Sequence, residues 1–133
     1  MAMEIDKLAL ISISDKKVLM TRSKGKPLFY LPGGKREMKE TDFQALKREV
    51  SEELKVDLID TSIKYMNTFK TQADGKPVGV LVKMTCYTAN YIDEPIASSE
   101  IEEIQWMDMS HYEEIAEVDK MIFEYLKLKQ LIR

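Results

Sequence analysis

Cysteine is almost missing from this chain: Cys86 stands alone among 133 residues. A single cysteine excludes an internal disulfide framework. Its place in a strand-like run reads as a small core residue rather than a nucleophile. Histidine is equally scarce. His111, at the expected start of the last helical segment, suits capping or surface exposure better than catalysis. Positive charge is in deficit, with 20 Lys and Arg against 23 Asp and Glu, a net charge of −3. A general nucleic-acid binder is usually basic, so no stable nucleic-acid complex is expected. No stretch approaches the roughly 18 apolar residues of a membrane span, so no membrane partner is expected. The N-terminus lacks a basic region running into an apolar signal core, which makes the cytoplasm the expected location. Repeats, low-complexity segments and linkers are also lacking. Residues 1–133 therefore read as one domain, long enough to bury a real core. The nine methionines are scattered and read as core filler rather than an interaction stripe.

What is present alternates between strand-like and helical patterning. Lys7 to Ile13 and Lys17 to Arg22 are apolar-rich and strand-like, with Asp15-Lys16 as the turn between them. A basic loop, Lys24 to Pro27, leads into a short strand expected at Leu28 to Leu31. Ile63 to Thr71 and Val78 to Tyr91 read as strands joined through Asp74-Gly75-Lys76-Pro77, a good turn sequence. Ile101 to Met107 alternates apolar with polar. From about His111 to Leu131 the pattern is helical, with Ile115, Val118, Ile122, Leu126 and Leu131 near one face. Strands with two substantial helices indicate an α/β class.

The most informative stretch is Gly34 to Val56, GKREMKETDFQALKREVSEELKV, which follows Leu31-Pro32-Gly33. Thr41 and Gln44 fit a capping box opening a helix from about Asp42 to Leu54. Phe43, Leu46, Val50 and Leu54 form its apolar stripe. At about 100° per residue, Glu49, Glu52 and Glu53 fall together, with Glu53 bordering the buried side and Glu52 furthest out. Like charges three and four apart repel by a few tenths of a kcal/mol per pair. Hard oxygen ligands converging on Mg²⁺ or Mn²⁺ would offset that repulsion. Taken alone, three glutamates describe a solvated acidic face better than a metal cage. Glu40 and the Gly-Gly turn favour the metal cage.

The order Gly34, five residues, Glu40, seven residues, Arg48-Glu49-Val50, one residue, Glu52-Glu53, one residue, Lys55, Val56 resembles the Nudix box. It departs at one defined position, Lys55, where the family pattern has glycine. A lysine there costs on the order of 1 kcal/mol if the left-handed conformation is kept. The alternative is a different exit from the helix. The resemblance implies an α/β/α sandwich with a mixed sheet, the box forming a loop–helix–loop at one sheet end. It also implies metal-dependent hydrolysis of a nucleoside diphosphate linked to another group, with a small-molecule nucleotide as substrate and a monomer or homodimer as the working unit. On the matching positions, Glu52 and Glu53 are implied as central metal ligands, Glu49 as a further ligand or water-orienting group, and Glu40 as a supporting acid. The Gly33 carbonyl is a candidate ligand because glycine allows close backbone approach. Arg48 is expected to fix a box carboxylate.

Other assignments are left open by the sequence. Family members differ in their general base, and Glu100 and Glu103, before Trp106, are the candidates outside the box. A solvated acidic loop describes both equally well. Arg22, Lys24, Lys26, Lys35, Arg36 and Lys70 are candidates to steer or hold a polyphosphate. Phe29, Tyr30, Phe69 and Tyr87 could stack on a base, though aromatics in strands are usually core. Asp119 is a candidate reader of a purine edge by similarity to nucleotide-pool-cleaning relatives. The leading expectation is a nucleoside triphosphate, including oxidised purine forms, cut to the monophosphate and pyrophosphate. Nucleotide sugars, dinucleoside polyphosphates, capped RNA and a non-enzymatic nucleotide sensor are the alternatives.

Overall fold

A computed structural model describes residues 3–73 and 75–133. Two sheets form the centre. In the first, β4 (Gly33–Lys35), β1 (Met3–Leu10), β6 (Val80–Thr88) and β5 (Lys64–Gln72) lie side by side in that order. β1 and β6 are parallel, and both outer pairings are antiparallel, so the sheet is mixed. The second sheet is antiparallel, in the order β2 (Ile13–Ser14), β3 (Lys17–Ser23), β7 (Ile101–Met107). Two helices, α1 (Asp42–Leu54) and α2 (Glu117–Leu128), cover the sheets.

The apolar run in β1 is continuous because both of its faces are covered, as a parallel pairing requires. Leu8 and Leu10 pack with Leu46, Val50 and Leu54 of α1. Ala9 lies instead in the cluster with Ile122, Phe123 and Leu126 of α2, as does Ile11 just beyond the strand. This alternation makes the molecule an α/β/α sandwich with a mixed sheet, as the sequence led us to expect.

α1 spans the expected residues. The Thr41 side chain accepts from Gln44 N, and the Gln44 side chain accepts from Thr41 N at 2.9 Å, completing the capping box. Leu46, Val50 and Leu54 are buried, while Phe43 stays exposed and meets Tyr87 edge to face. The Asp15-Lys16 turn has positive φ at both residues, the geometry of a type I′ hairpin.

Several boundaries differ from expectation. The first strand begins at Met3, not Lys7. It ends at Leu10 because Ile11 N still bonds Tyr87 O of the first sheet, whereas Ser12 O accepts from Leu19 N of the second. The chain changes sheets there. Leu28 to Leu31 forms only isolated pairs, Tyr30 with Thr21 and Phe29 with Ile115, and regular pairing resumes at Gly33. The strand expected to run from Val78 to Tyr91 is shorter, Val80–Thr88. The last helical segment is broken: a 3-10 helix (Met109–Glu114) precedes α2. Phe29 causes the break, since its N–H donates to Glu114 O and its carbonyl accepts from Ala116 N. Leu131 is partly exposed, and Ile132 is buried in its stead. In the turn expected at residues 74–77, Asp74 lies outside the described residues.

Lys55 keeps the left-handed conformation, with φ 55° and ψ 38°, and its N–H donates to Ser51 O at 3.0 Å. A Cβ is strained there, and glycine is not. Lys55→Gly is therefore expected to stabilise the fold by about 1 kcal/mol, less the extra freedom glycine gives the unfolded chain. Urea denaturation of the two proteins measures it.

Candidate active site

Glu53 sits at the last turn of α1 and is only 7% exposed. Its Oε1 accepts from Gly33 N at 2.9 Å, which ties the helix to the Gly-Gly strand. That strand must be bare. A Cβ on Gly33 would lie 2.0 Å from Leu8 O, and Gly33 has φ 139°. A Cβ on Gly34 would lie 2.4 Å from an oxygen of Glu49. Gly34 thus lets the Glu49 carboxylate close onto the backbone, and Gly33 lets its strand lie against β1.

Burial pushes the Glu53 carboxyl up to about 8, against the Gly33 N–H, and the charges of Glu49 and Glu100 push it the same way. Glu49 is raised by burial too, opposed by Arg48. Glu100 is lowered, first by hydrogen bonds from Ser99 and its own backbone N–H, and further by a bond with the Glu53 carboxyl. The loop carrying Glu100 is pinned to the end of α1: Ile96 N bonds Leu54 O, and Ser98 N bonds Glu53 O. These bonds satisfy carbonyls that a helix end leaves free.

Arg48 gathers the remaining box acids. Its Nε and Nη2 donate to the two oxygens of Glu40 at 2.7 and 3.0 Å, and Nη1 donates to Glu49 Oε1 at 2.8 Å. Nη2 also reaches Lys35 O. Glu52 is the outermost acid, its side chain 50% exposed and 3.6 Å from Nη1. Arg48 and the Glu37 N–H hold the Glu40 carboxyl down at about 2. Beside this cluster lies a cavity of about 320 Å³, lined among others by Glu53, Gly33, Gly34, Lys7, Lys26 and Tyr30.

A NUDIX domain family model matches residues 7–126. The chain belongs to the Nudix family. Members of that family are pyrophosphohydrolases that act on small nucleotides and generally use divalent metal ions. No curated protein matches the chain. Among solved structures, the E. coli ORF135 protein is 22% identical, with 96% of this chain and 92% of that one covered and a TM-score of 0.74. The MutT protein of Methanosarcina mazei Go1 is 17% identical, with 97% and 96% covered and a TM-score of 0.77. The E. coli dihydroneopterin triphosphate pyrophosphohydrolase is 16% identical, with 93% and 95% covered and a TM-score of 0.71. At these identities the likeness concerns the fold.

The structure brings together Gly33, Glu40, Arg48, Glu49, Glu52, Glu53 and Glu100. Among the described residues no group of three or more acids, histidines or cysteines is already drawn around one point as a cation cage. The chemistry of the set nonetheless fits a hard divalent ion. Its candidate ligand atoms are all oxygens, and the charges of Glu49 and Glu100 oppose ionisation of buried Glu53.

Other candidates stand apart. Glu103 pairs with Arg22, which also meets Glu102 and the Lys26 carbonyl. Lys35 is exposed and offers Arg48 its carbonyl. Asp119 is buried and accepts from Leu31 N at 3.0 Å, one residue from Val118 on the cavity wall. Phe69 is buried in the α2-side core, and Lys70 pairs with Glu4. His111 accepts from Asp108 N in a capping box. Cys86 is fully buried, which pushes its thiol up. Lys7 was missed as a cavity residue because strand patterning alone does not say which end of β1 meets the Gly-Gly turn.

The Glu53 shift has a thermodynamic consequence. Between its ordinary 4.5 and about 8 the folded protein holds a proton that the unfolded chain releases. The associated stability is present below the lower value and is lost as pH rises towards the upper one. In chelator-treated protein, the urea midpoint of wild type is expected to fall over this window relative to Glu53→Gln. Parallel profiles for the two proteins would contradict the assignment.

Proposed function

We propose that the protein hydrolyses a nucleoside triphosphate, with oxidised purine forms included, to the monophosphate and pyrophosphate, using Mg²⁺ or Mn²⁺. The observation that carries this reading is the buried Glu53 carboxylate at the edge of a cavity whose walls also hold Lys7 and Lys26. A wall that carries two lysines beside an acid cluster suits a substrate that brings its own phosphates and a cation. The cavity volume lies at the small end of those that hold drug-sized ligands.

Glu49, Glu52 and Glu53, with the Gly33 carbonyl and with Glu40 in support, would hold the metal. When bound, the metal neutralises charge on the phosphoryl oxygens and lowers the pKa of water. In the reaction, a water oxygen bonds to one phosphorus, the bond from that phosphorus to the bridging oxygen breaks, and pyrophosphate leaves. The proton of the attacking water goes to a carboxylate. This reading assigns that step to Glu100, which is held beside Glu53 at the end of α1, whereas Glu103 is engaged by Arg22. Arg48 orients Glu40 and Glu49. Lys7 and Lys26 bind phosphate, Tyr30 flanks the base, and Asp119 is the reader of its edge.

The test is product release from canonical and oxidised nucleoside triphosphates, ADP-ribose, a nucleotide sugar and a dinucleoside polyphosphate, with Mg²⁺ or Mn²⁺. Pyrophosphate is expected from triphosphates. Glu53→Gln is expected to lower kcat on the order of a thousandfold, the scale of losing one preorganised electrostatic group, while circular dichroism stays native. Turnover confined to the X-linked diphosphates would overturn the substrate class, and near-normal turnover in folded Glu53→Gln would overturn the site.

A further inference from the structure

The loop between β4 and α1 carries Glu40 yet has no regular secondary structure. A second arginine, besides Arg48, holds it. Arg36 Nε donates to Asp6 Oδ2 of β1 at 3.1 Å, and Nη1 donates to the Glu40 carbonyl at 3.2 Å. Nη2 meets Asp42 Oδ1, in the first turn of α1, at 2.5 Å. The other Asp42 oxygen accepts from Tyr87 OH of β6 at 2.5 Å. The Arg36 backbone joins in, its N–H donating to Asp6 O. One guanidinium therefore ties β1, the loop and the helix start together, and Asp42 extends the tie to β6.

The location of these bonds matters more than their number. Glu40 is gripped twice: by its carbonyl from Arg36 and by its carboxylate from Arg48. Arg48 is in turn the hydrogen-bond partner of Glu49. Displacing the Glu40 backbone would move the anchor of Arg48 and so release Glu49. Arg36 is 24% exposed at its side chain, and its donors face protein acceptors on three elements. A group used to grip phosphate would need donors turned to the cavity, and Arg36 does not line it.

We infer that Arg36 is a positioning residue for the carboxylate site, locking the Glu40 backbone so that Arg48 can hold Glu49. This rests on the metal-dependent reading given above. It assigns Arg36 a role in setting metal affinity and turnover, and none in gripping the substrate.

The test uses Mn²⁺ itself as the probe, read by electron paramagnetic resonance, alongside steady-state kinetics with a nucleoside triphosphate. Arg36→Ala is expected to weaken Mn²⁺ binding about tenfold and lower kcat about tenfold or more, with KM within twofold of wild type. Arg36→Lys, which keeps the charge but cannot span three partners, is expected to recover part of both. In a double-mutant cycle with Asp42→Asn, the combined loss is expected to fall short of the product of the single losses. Should Arg36→Ala not fold, Arg36→Lys alone decides the matter by its Mn²⁺ affinity.

A raised KM with kcat and Mn²⁺ binding intact would make Arg36 a substrate ligand and overturn the inference. Wild-type Mn²⁺ affinity in a folded Arg36→Ala or Arg36→Lys protein would overturn it as well, whatever the turnover. A wild-type protein that takes up no Mn²⁺ would sink the metal-dependent reading and this inference together, which distinguishes that failure from one confined to the variants.

Discussion

The hydrogen bond from Gly33 N–H to Glu53 is the constraint on which the site depends. It joins a helix to a strand at a buried carboxylate. Every neighbouring choice follows. Gly33 must be glycine because Leu8 O occupies the space of its Cβ. Gly34 must leave room for Glu49. α1 must present Glu53 on the border of its apolar stripe, so that Leu46, Val50 and Leu54 anchor the helix while Glu53 reaches the sheet. An isolated buried charge is costly, and burial accordingly pushes the Glu53 carboxyl up to about 8.

The acids nearer solvent are organised differently. Glu40, Glu49 and Glu52 collect around Arg48, and Asp6 and Asp42 around Arg36. Single exposed ion pairs contribute little to stability. Here they specify geometry: two planar guanidinium forks, each with several donors in fixed directions, define the path of a loop that has no ladder of backbone bonds. Lysine could supply the charge at either position but not the fork.

Much of this was legible in the sequence because local rules and the fold agree. The capping box, the stripe from Leu46 to Leu54 and the wheel positions of Glu49, Glu52 and Glu53 describe α1 as it stands, with Phe43 left exposed, and the burial order of the three acids follows the wheel. The Nudix spacing covers residues that are close in sequence, so it survives without any knowledge of topology. Long-range terms were not legible. Nothing near Ile115 announces a helix break, because the cause is Phe29, far earlier in the chain. Arg36 reads as a loose basic residue until Asp6 and Asp42 are brought to it. Glu100 and Glu103 look equivalent in an acidic run. They separate only because Ser98 and Ile96 dock on the end of α1, while β7 pairs with β3 and delivers Glu103 to Arg22.

That docking also explains how the box tolerates its one departure. Glycine at position 55 would relieve strain at the end of α1, yet Lys55 adopts the left-handed turn there. The turn is over-determined. Lys55 N bonds back to Ser51 O, and the carbonyls of Glu53 and Leu54 are taken by Ser98 and Ile96. Leu54, Val56 and Leu58 are buried on either side. A local penalty near 1 kcal/mol is small against bonds and burial that all require the same exit angle. The strain is confined to the Lys55 backbone and leaves the Glu53 carboxylate, two residues earlier and held by Gly33, where the helix places it. The glycine of the family pattern is therefore a matter of helix termination, separable from the chemistry of the acids that precede it.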